Sequence, residues 1–80
     1  MSHRPYSELQ QEKASAGEIV LIGRKYIHHK YPERRYQVVD IGIQEASDKV
    51  CVIYCDTNMP DIHFVRDLDS WLERFTLAND

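Results

Sequence analysis

Apolar positions recur along this chain in two rhythms: every second residue through most of residues 25–66, and every third or fourth over residues 67–75. The first rhythm is that of half-buried strands, the second that of an amphipathic helix. Near the N-terminus the pattern thins. Ser7 suits an N-cap, Gln10 completes a capping box and Glu8 favours the positive end of a helix over residues 8–14. Leu9 is the only large apolar residue in that segment, and Gly17 is expected to have ended it. Residues 18–23 read as a short strand or an extended lead-in.

Residues 25–31 are predicted as a strand with Tyr26 and His28 on one face and Ile27, His29 and Tyr31 on the other. Pro32, Glu33 and Arg34 are expected to form the turn that follows, because proline suits a turn and cannot donate to a ladder. The strand over residues 35–44 changes phase: Tyr36 and Val38 share one face, whereas Val39, Ile41 and Ile43 share the other. A one-residue shift of this kind is what a β-bulge or sharp bend produces, eased here by Gly42. After a hairpin connection at residues 45–48, residues 49–55 are apolar on both faces and are expected to be the central strand. A second turn leads to a strand over residues 62–66. Leu68, Trp71, Leu72 and Phe75 then fall at helical spacing, capped by Asp67-x-x-Ser70 or Ser70-x-x-Glu73.

The pattern as a whole predicts a mainly β domain: a small antiparallel, strongly bent sheet or an SH3-like barrel of four to five strands, with a short N-terminal helix and a C-terminal helical turn. Residues 1–17 are expected to form an N-terminal arm, and residues 18–77 a single β domain. With 80 residues, such a domain buries only about 60% of its unfolded surface. A sizeable ligand site is therefore expected in a surface groove or at a subunit interface, since an enclosed cavity of roughly 300–1,000 Å³ would empty the core.

Charge adds an asymmetry that the total of −3 conceals. Residues 24–35 carry Arg24, Lys25, Lys30, Arg34 and Arg35 against Glu33 alone, a net +4, with His28 and His29 uncounted. Residues 40–80 sum to −6. A basic stretch beside Tyr26, Tyr31 and Tyr36 is a surface suited to phosphates or an acidic partner, or more simply a strand-turn-strand whose exposed face is solvated, the reading the acidity of the whole chain favours. The acidic whole chain weighs against nucleic acid. No apolar run approaches the ~20 residues of a membrane-spanning helix, and no secretory apolar region follows Met1, so a cytoplasmic location is expected. Cys51 and Cys55 lie four apart on a predicted strand, on one face but roughly 13 Å from each other. They can neither form a disulfide nor ligate one zinc ion, and read as buried thiols in a reducing compartment.

The order Tyr26-x-His28-His29-Lys30, Tyr36-x-Val38, Val52-Ile53-Tyr54, Phe64-Val65-Arg66, Leu68 and Trp71-Leu72-Glu73 resembles a family of short bacterial proteins known only as a domain of unknown function. The resemblance covers about residues 23–75 and implies a small β-barrel fold with no established activity. The chain departs from the family pattern at Tyr31-Pro32, where the family has glycine, at Phe64, where it has tryptophan, and at Asp67, where it has proline. The first departure alters a turn, and the last replaces a rigid stop with a helix cap.

Nothing in the sequence supports nucleophilic catalysis, a resident cofactor or a metal centre: there is no glycine-framed nucleophile, no phosphate loop and no metal-ligand spacing. Adjacent histidines on a strand face opposite ways, so only one of His28 and His29 can serve any one site. Arg66 shares a face with Ile62 and Phe64 and needs a partner there, for which Asp40 is the natural candidate and a ligand anion the alternative. Tyr54, Phe64, Trp71 and Phe75 are expected in the core, and Tyr31 is the aromatic expected to be exposed. The expectation is a non-enzymatic binding or regulatory module. It would use Tyr26, His28, Lys30, Tyr31, Arg34, Arg35 and Arg66 to hold an acidic or extended partner, a protein among them. A homo-oligomer formed through an exposed strand edge is the alternative, and a small enzyme or anion site at His28 and Arg66 the third.

Overall fold

The computed structural model describes residues 4–79; residues 1–3 of the expected N-terminal arm lie outside them. Helix α1 (Tyr6–Ile19) leads into strands β1 (Lys25–His28), β2 (Tyr31–Gln44), β3 (Lys49–Asp56) and β4 (Phe64–Asp67). Helix α2 (Leu68–Arg74) and strand β5 (Phe75–Leu77) complete the chain. The five strands form one antiparallel sheet in the order β4-β3-β2-β1-β5. The mainly β class is as expected, but the sheet is open. β4 and β5 stand at opposite edges and do not meet, so the barrel alternative does not hold.

Both helices lie on one face of the sheet. Ala16 and Val20 from the α1 end and Trp71 from α2 close over Tyr26, Tyr36, Val38, Ile41, Val52, Tyr54 and Phe75. Trp71 is stacked on Phe75 at 3.8 Å, one helical turn away, and meets Tyr26 and Tyr54 edge-on. Such aromatic pairs each add to area burial by about 0.5–1.5 kcal/mol.

α1 is longer than its sequence suggests. Its first residue follows Pro5, whose carbonyl accepts from the Glu8 and Leu9 N–H groups, while Ser7 lies inside the helix and does not cap it. Arg4 pairs with Glu8 at 2.8 Å and with Glu12, which steadies the first turns. Gly17 does not stop the helix, because burial of Ala16 and Val20 against Ile41 outweighs its cost of about 1 kcal/mol. The turn comes instead at Gly23, whose φ of 86° is in the left-handed region that favours glycine. The extended segment expected over residues 18–23 is thus helix end and turn.

Three further differences have local causes. The β1–β2 connection is His29-Lys30, not Pro32 to Arg34, because the Lys30 N–H donates to His28 Nδ1 at 3.0 Å and closes the chain early. Residues 32–35 then loop out of register: His28 opposes Tyr31, whereas Tyr26 opposes Tyr36. β2, not β3, is the middle strand, although β3 is paired on both sides and its Val52 is fully buried. Phe75 leaves α2 to begin a fifth strand on β1, its backbone course set by ladder pairing of His28 with Phe75. The expected phase change in β2 is a bulge between Val38 and Asp40, and Tyr36, Val38 and Ile41 are buried in consequence. Of the two caps weighed for α2, Asp67 is the one used, accepting from the Ser70 N–H at 3.1 Å.

Cys51 and Cys55 are free and buried on the strand side opposite Val52 and Tyr54. Burial pushes the Cys51 thiol up, and the Asp67 charge adds to this, so it is a poor nucleophile at neutral pH. Among the described residues no helix is long and apolar enough to cross a membrane.

Candidate anion-binding face

The register that sets His28 opposite both Tyr31 and Phe75 gathers five elements around one ring. Phe75 meets His28 edge-on at 4.8 Å, Tyr36 at 5.5 Å and Tyr54 at 5.3 Å, with Trp71 stacked beneath it. The Arg66 guanidinium lies 5.5 Å from the same ring. It donates through Nη1 to Ser70 Oγ at 2.9 Å and, more weakly, through Nε to the Tyr54 hydroxyl at 3.4 Å. No carboxylate pairs with Arg66 within 4.0 Å among the described residues.

Asp40 is not its partner. Asp40 opposes Ile53 and Arg66 opposes Val52, so the two side chains belong to opposite faces of the sheet. The bulge satisfies Asp40 locally, its Oδ1 accepting from the Ile41 N–H at 2.7 Å. Arg66 is therefore a half-buried cation whose partners are hydroxyls and an aromatic face, with donor capacity left over.

His28 is 8% exposed. Burial, and after it the positive charges of Arg66, Arg74, His29 and Lys30, hold its pKa below the ordinary 6.5. The imidazole is neutral at pH 7. Because Nδ1 accepts from Lys30, the ring proton sits on Nε2, leaving one donor there. Above it lies Tyr31, 37% exposed and 5.3 Å from the His28 ring. Lys30 and Arg34 flank the Tyr31 ring at 5.9 and 5.0 Å. Arg34 also reaches the Tyr36 hydroxyl, the main reason its pKa rises above the usual arginine value, with Asp56 and Glu33 contributing weakly.

His28, Lys30, Tyr31, Arg34 and Arg66 thus come together. Tyr26 lies beneath this face: it is buried against Trp71 and its hydroxyl accepts from the Leu21 N–H at 3.0 Å. Arg35 folds back on its own loop, donating to the Pro32 and Arg34 carbonyls. Ser70, Tyr54 and Phe75 are members that sequence reasoning did not assign. Arg66 lies in β4 and Ser70 in α2, so no sequence spacing rule signalled their contact. Phe64, expected in the core, is 46% exposed because β4 is an edge strand.

No protein-family model, curated protein or solved structure matches the chain. No residue role is carried to it from elsewhere, and the face must be read on its own chemistry.

A second concavity, an open groove of about 700 Å³, separates α1 from the β2–β3 hairpin and the start of α2. Arg4 holds Glu8 and Glu12 there and donates to the Asp48 carbonyl at 3.2 Å, while the Asp48 Oδ1 is buried without a hydrogen-bond partner among the described residues. Among the described residues no group of His, Cys, Asp and Glu side chains is placed to hold a metal ion.

Proposed function

We propose that this chain is a binding module whose basic–aromatic face takes up a carboxylate-bearing, extended partner. The observation that carries the reading is Arg66, a half-buried guanidinium oriented by Ser70, Tyr54 and Phe75 and without a carboxylate partner among the described residues. A cation placed in this way holds geometry and donors ready for a planar anion. Lys30 and Arg34 over Tyr31 extend the same charge outward along the chain of a partner, and the neutral His28 adds one Nε2 donor. The attraction of this patch for an anion is electrostatic, so binding should weaken with salt.

The experiment is a titration of isotopically labelled protein with an oligoglutamate peptide, followed by amide and side-chain NMR shifts. The expected result is saturable shifts confined to His28, Lys30, Tyr31, Arg34, Arg66, Ser70 and Phe75, fading as salt is added. Shifts scattered over the surface, or none, would overturn the reading.

A further inference from the structure

The two edges of the sheet are unlike. β5 is three residues long and flanks a buried ring, whereas β4 (Phe64–Asp67) exposes apolar side chains on both of its faces. Val65 is 66% exposed and Phe64 46%, with Ile62 and Met59 exposed just before them. Beyond its ladder with β3, no other backbone hydrogen bond is made by Phe64 or Val65 among the described residues. Edge strands are normally blunted by short length, charged side chains, proline, a bulge or a covering loop, and β4, four residues with Arg66 and Asp67, is only partly so. The β4 sequence Phe64-Val65-Arg66-Asp67 holds no lysine or proline and its pairing with β3 is regular.

The same strand is complementary to itself. In an antiparallel pairing about a two-fold axis through Val65, Val65 meets Val65 of the second copy. On the same sheet face His63 then stands opposite Asp67, and on the other face Phe64 stands opposite Arg66. Directly opposed side chains on neighbouring strands have Cβ atoms about 4.5–5.5 Å apart, close enough for each of these pairs to interact. A shift of one residue destroys the match: it sets His63 against Arg66 and Ile62 against Asp67. Of these two registers, the Val65-centred one sets an aromatic ring against a guanidinium and an imidazole against a carboxylate.

We infer that β4 pairs with β4 of a second copy of this chain, in the Val65-centred antiparallel register, to make a continuous ten-stranded sheet. The inference does not rest on the anion-binding reading, although the Phe64–Arg66 pair sets a ring of the second copy beside the Arg66 of that face.

Sedimentation equilibrium on the full chain, over a concentration series up to the solubility limit, tests it. A reversible monomer–dimer equilibrium is expected, and a monomer throughout overturns the inference. Val65→Lys places a charge at the two-fold axis on an already exposed site and should leave only monomer with an unchanged circular dichroism spectrum. His63→Asp sets like charges against Asp67 and should weaken association roughly tenfold, two cross-strand pairs being lost per dimer. His63→Lys should keep it. A dimer indifferent to Val65→Lys lies on another surface, and one sensitive to Val65→Lys but indifferent to His63→Asp has another register; either result contradicts the inference.

Discussion

The groove beside α1 and the face around Phe75 both gather charged side chains at the surface, yet they treat those charges differently. In the groove Arg4, just ahead of α1, finds two glutamates on that helix. At the Phe75 face Arg66, Lys30 and Arg34 have aromatic rings and hydroxyls for neighbours. An arginine held between two glutamates steadies a helix and offers little to a visitor. Cations held by uncharged groups keep their field and part of their donor capacity, and that difference, more than cavity size, separates a structural cluster from a binding surface.

The contrast can be broken at its core. Phe75→Ala removes the ring on which the basic face is assembled and opens a cavity beside Trp71, and should cost about 3–5 kcal/mol in denaturant unfolding. Leu72→Ala, on the exposed side of the same helix, should stay within about 0.5 kcal/mol. In the groove, Glu12→Gln should produce only a slight loss of helix content by circular dichroism, vanishing at high salt. Equal effects at Phe75 and Leu72 would mean that the face is not built on the core.

Arg66→Met sharpens the comparison. Were Arg66 half of a buried ion pair, its removal would strand a carboxylate at a cost of about 3–5 kcal/mol. With Ser70 and Tyr54 as partners, the loss should remain below about 2 kcal/mol by thermal or chemical unfolding. A larger loss would show a structural partner for Arg66 and undercut the binding role.

The smallest effects are the two pH windows. His28 is held below 6.5 in the folded chain, so the unfolded state binds its proton first, and stability falls as pH drops below about 6.5. The slope is at most about 1.4 kcal/mol per pH unit, and His28→Gln should remove it. Glu12 is held below its ordinary 4.5, chiefly by its hydrogen bond to Arg4, so its contribution is present above that value and is lost only as pH falls further. The face should therefore weaken at milder acidity than the groove. A single transition below pH 4.5, with no His28-dependent slope above it, would contradict this ordering.

Much of this was legible in the chain. The switch from Tyr36 and Val38 to Ile41 announced the bulge in β2, and the pairing of Tyr26 with His28 on one face followed from alternation alone. Asp67 was visible as a cap because its side chain acts three residues away. Less legible were features decided across the fold. The turn at His29-Lys30 depends on a histidine ring accepting from the backbone, which outweighed the local signal of Pro32. α1 continues past Gly17 because the sheet buries its last turn. Phe64 reads as a core residue until β4 is known to be an edge. Arg66 was rightly seen to need partners, but periodicity could not show that Asp40, across a bulge, had turned to the other side.

The central claim is that the cations around Tyr31 and Phe75 bind an anionic partner, and the most direct measurement is calorimetric affinity for an oligoglutamate peptide at low salt. Lys30→Glu/Arg34→Glu should weaken binding at least roughly tenfold with the fold intact, and Arg35→Glu, whose guanidinium is engaged by its own loop, should weaken it less. Unchanged affinity in the double variant, or no binding by the native chain, would contradict the account.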